Sequence, residues 1–516
     1  MASHNLVHHL YGGRTPDSIA ISRPGHAPLS TAELRDGVGR YAACLEQLGL
    51  RRGDRVSLKL AKSVDALMLA HGCVQLGAII HPISTDYTLE ETEYLLNDVQ
   101  PSLIVCETAE LERLRAIAPA GTQLQDLGQD GHGGLRGMLR ETAPRRDIEP
   151  VAPDDIAAIL YTSGTTGRPK GAQITHRNLT ECAQALVSAW QITARDRLLH
   201  FLPMSHAHGL LTAVNTTLVG GAALLFLERF DLKMVIAALK DTTVMLGVPT
   251  HYARLMREPV FAASLPADFR LAISGSAPLP LELAQAFSSA TGYDLYQRYG
   301  ATETSIVAAV PADRENRVGW VGWPLPGVQV RVQCDDGAHH GRAATGSLET
   351  RGHNVFSGYW RRPEADSEAF TDDGWFITGD IAEIDEQGCV RILGRKKEII
   401  ISGGLNVYPL EVENAIVSLP GIAEAAVFGV PHPDFGEAGV AAVRLEPDGE
   451  LDETAVAQAL RGKLAPYKIP KRFVAVEQIP SNGNGKISKT ELRERFRNMF
   501  SDPAASGRTS YNSHKE

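Results

Sequence analysis

The segment Tyr161-Thr-Ser-Gly-Thr-Thr-Gly-Arg-Pro-Lys170-Gly171 follows an apolar run and restricts what this chain can fold into. Gly164 and Gly167 allow tight turns that aim backbone N–H groups inward. Thr162, Ser163, Thr165 and Thr166 add hydroxyls, and Lys170 adds a full positive charge. A strand running into such a loop makes a cradle for polyphosphate. The common nucleotide loop G-x-x-x-x-G-K-[ST] does not fit, because Pro169 stands five residues after Gly164 and Lys170 is followed by glycine. Another phosphate-binding geometry is therefore at work.

Helical stretches at residues 31–48 and 89–99 alternate with short apolar strands at 103–106, 157–160 and 222–226, which predicts an α/β protein with largely parallel sheets. Residues 66–84 read as a helix running into a buried strand. His71, Gln75, Gly77, His81 and Pro82 break that stretch too often for it to span a bilayer. With 516 residues the chain exceeds the usual reach of one hydrophobic core, so two or more domains are expected. The charged run Gly394-Arg-Lys-Lys-Glu398, between strands at 390–393 and 399–401, places the boundary and a hinge. The division is 1–395 for a large N-terminal domain and 396–500 for a small α+β domain, with a strand at 425–430 and a helix at 453–464. The Gly- and Gln-rich residues 121–137 read as a surface loop, and 501–516 as a disordered tail.

Composition narrows the partners. The net charge is −10 with Lys and Arg spread along the chain, which disfavours nucleic acid. Cys44, Cys73, Cys106, Cys182, Cys334 and Cys389 show no C-x-x-C spacing and sit mostly among apolar residues. Reduced, buried thiols in a cytoplasmic protein are expected, not a disulfide framework or a zinc site. The start, Met1-Ala-Ser-His-Asn-Leu, lacks the basic and apolar regions of a secretory signal.

The run from Tyr161 to Gly171 resembles the signature of the adenylate-forming enzymes: acyl-CoA synthetases, peptide-synthetase adenylation domains and luciferases. The resemblance spans roughly residues 15–497. It implies a reaction in two halves that uses ATP, Mg²⁺ and CoA. A small-molecule carboxylate attacks the α-phosphate and releases pyrophosphate, and a thiol then displaces AMP from the acyl-adenylate. It also implies a large N-terminal region of mixed, mostly parallel sheets flanked by helices, and a small mobile α+β lid at the C-terminus.

Further motifs carry the resemblance. Tyr299-Gly300-Ala301-Thr302-Glu303 is similar to Y-G-x-T-E, which implies an aromatic face for adenine, a hydroxyl for the phosphates and, in Glu303, the magnesium ligand. Gly275-Ser276-Ala277-Pro278 resembles the backbone wall along the adenine ring. Asp380, in a T-G-D run, and Arg395 match groups that hold the ribose hydroxyls. Lys486, in Pro480-Ser-Asn-Gly-Asn-Gly-Lys486, matches the lysine that meets the carboxylate and α-phosphate during adenylation. Ser481 and Asn482 replace the basic residue and threonine usual in that loop. Lys397 falls on the hinge, and Gly403 and Gly404 on the thiol tunnel, which a side chain at Gly404 would block.

For the acid itself, His206-Ala207-His208-Gly209 resembles the gate segment beside the acyl pocket. Peptide-synthetase domains place an aspartate for the substrate amine where Ala207 stands, so an amino acid substrate and a carrier-protein partner are disfavoured. Arg270, with Arg298-Tyr-Gly and His206-Ala-His-Gly-Leu210, makes the chain similar to malonyl-CoA synthetases. That similarity implies that Arg270 grips a second substrate carboxylate; the alternative is that it pairs with Asp268 or faces solvent. Ala207 and Ala301 stand where those enzymes carry threonine and methionine, so a larger pocket is expected. Malonate, a 2-substituted malonate such as methylmalonate, or a larger monocarboxylic acid, medium-chain or aromatic, would then fit.

Overall fold

The computed structural model describes residues 4–128, 134–162, 168–447, 449–481 and 487–500. The chain divides into two compact units. The first comprises Met1–Leu279, Leu283–Val330 and Glu349–Ile377; the second comprises Pro280–Glu282, Arg331–Leu348 and the chain from Thr378 onward.

In the first unit a six-stranded sheet has the order Gln123–Asp126, Leu103–Cys106, Arg55–Lys59, Ile79–Pro82, Ile156–Thr162 and Lys170–Thr175. Only its last pair is antiparallel. A nine-stranded sheet contains the parallel run Leu295–Tyr299, Leu271–Ser274, Val244–Gly247, Arg197–His200, Ala223–Phe226 and Ile19–Ser22. Because these strands all point one way, their C-terminal ends line one edge, the edge at which open α/β sheets take their ligands. The helices Thr31–Gln47 and Leu89–Val99 start at reciprocal caps, Ser30 with Glu33 and Thr88 with Glu91, which satisfy backbone N–H groups at their first turns.

One sequence expectation is corrected. Residues 121–137 are not simply a loop: Gln123–Asp126 pairs in parallel with Leu103–Cys106, and the helix Gly134–Glu141 begins within the stretch. An edge strand buries only part of its surface, so Gln123 and Gln125 are tolerated and the hydrophobic signal is weak. The stretch 66–84 does resolve into the helix Val64–Gln75 and the strand Ile79–Pro82.

The second unit is built on the antiparallel hairpin Ile422–His432 and Gly436–Leu445, joined by Ile400–Ser402, Leu405–Val407 and Arg472–Ala475. Val412, Val427, Val443 and Phe473 pack on one face, and Phe428, Val440 and Leu492 on the other. Residues 501–516 lie outside the described residues. Five of the six cysteines are buried, and none of the six is in a disulfide. No helix among the described residues is long and apolar enough to cross a membrane.

Candidate active site

The cradle residues Ser163, Gly164, Thr165, Thr166 and Gly167 lie outside the described residues, whereas the two arms that carry them are described. Thr162 and Lys170 face each other in the last antiparallel pair of the six-stranded sheet. The helix Leu89–Val99 grips both arms. Tyr161 donates its hydroxyl to Asp98 at 2.6 Å, and the Tyr94 hydroxyl donates to the Pro169 carbonyl at 2.9 Å. Arg362 closes on the same Asp98 carboxylate at 2.5 Å, so the entry arm is pinned by a charged pair.

Past the exit arm, the segment 357–360 runs against the strand Lys170–Thr175. Trp360 N–H donates to Gly171 and Gln173 N–H donates to Gly358. This places Tyr359 between two candidate site residues: its hydroxyl donates to Glu303 at 3.1 Å, and Lys170 Nζ lies 5.1 Å from its ring centroid. Burial and the Glu303 carboxylate both push the Tyr359 hydroxyl above its ordinary pKa, so it remains a donor. Around Glu303 the turn is tight. Ala301 N–H donates to Thr304 Oγ1 at 2.9 Å, and a Cβ at Gly300 would overlap the Ser305 carbonyl, so only glycine fits there.

A second group of candidate residues lies at the C-terminal ends of the parallel strands of the nine-stranded sheet. Ser276 follows the strand Leu271–Ser274 with φ +68°, a left-handed conformation costly for a non-glycine residue and often found at functional sites. It exposes its side chain together with Ala277 and Pro278. Arg298, next to last in the neighbouring strand Leu295–Tyr299, is only 7% exposed and donates from Nη2 to Ser276 Oγ at 3.2 Å. Among the described residues its Nε has no hydrogen-bond partner. The guanidinium lies against Gly275, where any Cβ would collide with it. Burial lowers its pKa to about 10, still charged at neutral pH. His208 Nδ1 sits 3.1 Å from the same Ser276 hydroxyl. Burial above all, then Arg298, His200, His251 and His206, holds the His208 imidazole neutral. Ala207 borders the apolar core beside this group, and the π-helical turn His208–Val214 follows it.

Arg270 is not part of this group, which corrects the expectation that it grips substrate. It precedes the strand Leu271–Ser274 and so stands at the opposite edge of the sheet. Its Nε and Nη2 donate to Asp196 at 2.7 and 2.8 Å, while Nη1 donates to the Trp190 carbonyl and Nη2 also to that of Gln191. Burial raises the Asp196 carboxyl, but the Arg270 bond and the Thr193 N–H bring it below its ordinary value. Asp268, the alternative partner, pairs with Arg197 instead.

In the second unit Asp380 and Arg395 lie opposite each other on antiparallel strands and form an ion pair at 2.7 Å. Lys397 sits in the short turn Lys396–Glu398, where burial and then Arg395 lower its pKa. Gly403 and Gly404, at φ +59° and +79°, make the turn after Ile400–Ser402, and nothing stands within 4 Å of a Cβ at Gly404. Lys486 lies outside the described residues. Sequence reading missed Tyr359, Asp98 and Tyr94, which belong to no short motif, and gave Arg298 no role of its own.

Comparison with known proteins gives this geometry a family. The AMP-binding enzyme profile matches residues 11–360, and the AMP-binding enzyme C-terminal domain matches 411–486. A long-chain-fatty-acid–CoA ligase of Mycobacterium tuberculosis is 35% identical over 91% of this chain and 93% of its own. The mitochondrial malonate–CoA ligase of Mus musculus is 34% identical over 89% of this chain and 84% of its own. The ATP-bound crystal structure of MatB from Rhodopseudomonas palustris superposes with a TM-score of 0.92 at 40% identity, covering 97% of this chain and 100% of that one. The chain belongs to the AMP-binding, adenylate-forming enzymes and is an AMP-forming acid–thiol ligase.

Proposed function

We propose that this ligase activates a short dicarboxylate, malonate or a 2-substituted malonate such as methylmalonate, and that Arg298 holds the carboxylate that does not react. The buried guanidinium carries this reading: it is charged, it has an unpartnered Nε, and Ser276 alone bonds its Nη2 at 3.2 Å among the hydrogen bonds described for it. A buried charge without a full set of partners costs several kcal/mol, roughly 3–5 on removal of its partner, and a carboxylate offers a guanidinium two parallel acceptors. A monocarboxylic acid leaves that charge uncompensated. Ala207 and Ala301 leave space for a substituent on the acid. Similarity to a malonate–CoA ligase agrees with this substrate class. Relatives named for long-chain fatty acids and ferulate are comparably similar, and the test therefore sets dicarboxylates against monocarboxylic acids.

The remaining roles follow the same reading. Lys170 and Thr302, with residues 162–167, hold the phosphates. Tyr299, Gly300 and Ala301, with Gly275, Ser276, Ala277 and Pro278, flank the adenine, and Asp380 and Arg395 take the ribose. Glu303 is the magnesium ligand. Among the described residues no group of three or more His, Cys, Asp or Glu side chains could hold a metal alone. Mg²⁺ that arrives on ATP needs only one or two carboxylates besides phosphate oxygens, which suits the single Glu303. When bound, the ion supplies positive charge against the phosphates as one carboxylate approaches another anion. Lys486 serves the adenylation half, His206 gates the acyl pocket, and Lys397 with Gly403 and Gly404 serves transfer to CoA. Lys397 is the hinge of a lid formed by residues 396–500.

The test measures pyrophosphate release and acyl-CoA formation with malonate, methylmalonate, octanoate and benzoate, for wild type, Arg298→Ala and Arg270→Ala. Arg298→Ala lowers kcat/KM for the dicarboxylates by at least about 100-fold, the scale of truncating one partner of a buried charged pair. A wild-type preference for octanoate or benzoate, unaffected by Arg298→Ala, overturns the proposal.

A further inference from the structure

We infer that Tyr359 is a positioning residue with two separable tasks: its hydroxyl sets the Glu303 carboxylate for the cation that accompanies ATP, and its ring holds Lys170 toward the phosphates. The inference rests on the reading of Glu303 as magnesium ligand and of Lys170 as phosphate ligand.

The local build supports a fixed tyrosine. Tyr359 N–H donates to Asp366 at 2.7 Å, Gly358 adopts φ +123°, and a Cβ there would meet Asp366, so the backbone is pinned just before the ring. Tyr359 also forms a β-bridge with Ala172, two residues beyond Lys170. Phe356 meets its ring edge-on at 4.8 Å, while Phe356 N–H donates to the Glu303 carbonyl at 2.8 Å. The ring, the exit arm of the phosphate loop and the Glu303 turn are thus tied at three points. The hydroxyl donates to Glu303 Oε1 at 3.1 Å, leaving Oε2 for a cation. Lys170 over the ring face is held by the ring quadrupole while its ammonium keeps its donors for oxygen ligands.

The two tasks separate by substitution. ATP binding to the full-length protein is followed by calorimetry without acid or CoA, once with excess EDTA and once across a Mg²⁺ titration. Tyr359→Phe keeps the ring: ATP affinity in EDTA stays within about twofold, and the Mg²⁺ concentration for half-maximal enhancement rises about tenfold, as expected on losing a hydrogen bond to a charged group. Tyr359→Leu also weakens ATP in EDTA by about three- to tenfold, the range of a partly exposed cation–π contact. Thermal midpoints within a few degrees of wild type show that each variant is folded, and Tyr359→Phe serves as the fold-neutral variant should Tyr359→Leu unfold. An unchanged Mg²⁺ dependence in Tyr359→Phe, with Glu303→Gln abolishing it, overturns the hydroxyl's task alone. Mg²⁺ dependence that survives Glu303→Gln overturns the metal-ligand reading and this inference with it. Unchanged ATP affinity in EDTA for a folded Tyr359→Leu overturns the ring's task.

Discussion

Arg270 and Arg298 stand at opposite ends of two neighbouring parallel strands, one just before Leu271–Ser274 and one near the end of Leu295–Tyr299, and their surroundings differ. At the N-terminal edge Arg270 is one member of a closed set. Asp196, Thr243 and Arg270 each precede a strand, and the Thr243 hydroxyl donates to Asp196 at 3.0 Å, so three strand starts are tied through one carboxylate. Each of the three guanidinium nitrogens of Arg270 donates to a protein acceptor. At the C-terminal edge Arg298, Ser276 and His208 form an incomplete set, with Arg298 Nε and His208 Nε2 lacking partners among the described residues. Two arginines of equal charge, Arg270 partly exposed and Arg298 buried, are therefore distinguished by what their surroundings leave unfinished. Satisfied networks hold a fold together, whereas unsatisfied buried donors are where a ligand gains most.

The strongest way to break the comparison is to truncate each arginine in turn. Arg298→Ala should collapse dicarboxylate activation by the hundredfold given above while costing little stability. Arg270→Ala should do the reverse: it strands Asp196, only 5% exposed, and lowers unfolding free energy by about 2–4 kcal/mol with substrate preference intact. Loss of dicarboxylate preference in a folded Arg270→Ala protein would erase the distinction between the edges.

The two edges should also answer differently to acid. His200, His208 and His251 near the C-terminal edge are kept neutral, in each case mainly by burial; Lys62 faces His200, Arg298 faces His208 and Arg254 faces His251, all adding to the effect. His251 falls to about 4. In the unfolded chain these imidazoles take up protons below about 6.5 while the folded protein does not, so stability falls as pH drops through that value. The three together should contribute roughly 2 kcal/mol to the stability lost between pH 7 and 6, read as a lower urea midpoint, and the buried imidazoles of His71, His81 and His176 add to the same loss. The Asp196–Arg270 pair contributes nothing in that window, because the Asp196 carboxyl titrates below its ordinary value. A urea midpoint flat from pH 7 to 6 would refute neutral histidines at the ligand edge.

A smaller probe sharpens the ligand edge alone. A Cβ at Gly275 would overlap the Arg298 guanidinium, so Gly275→Ala must push the charge aside without removing it. A loss of about tenfold in kcat/KM for malonate, confined to dicarboxylates, is expected from misplacing a charged hydrogen-bond partner. Equal losses for octanoate and malonate would show that a side chain at Gly275 acts through the adenine it flanks and not through Arg298.

Much of this was legible beforehand, and the failures have physical causes. The phosphate-loop arms, the parallel strands and the helix starts follow from local rules, such as the Ser30–Glu33 and Thr88–Glu91 caps, that need no distant partner. The assignment of Arg270 rested on the similarity to malonyl-CoA synthetases and ignored polarity: a residue just before a parallel strand belongs to the edge away from ligand, and one near its end belongs to the ligand edge. Strand direction alone favoured Arg298. Tyr359 and Asp98 could not be found this way. Each acts on a partner far along the chain, Glu303 at 56 residues and Tyr161 at 63, and no periodicity links them. The strand Gln123–Asp126 was missed because an edge strand half-exposed to water does not need an apolar alternation.

Thr243 tests how far the N-terminal edge depends on closure and not on charge alone. Its hydroxyl donates to Asp196 and accepts from Arg197 N–H at 2.9 Å, and the residue is 4% exposed. Thr243→Val keeps the shape, leaves the Arg270–Asp196 ion pair in place and removes one acceptor from a buried N–H. The cost should be about 1–2 kcal/mol of unfolding free energy, the scale of one unsatisfied buried donor. It should leave kcat/KM unchanged for every acid tested, since the hydroxyl lies at the edge away from Ser276 and Arg298. A stability loss as large as that of Arg270→Ala would mean that the three strand starts act as one cooperative unit, whereas a shift in substrate preference would show that the two edges of the sheet are coupled.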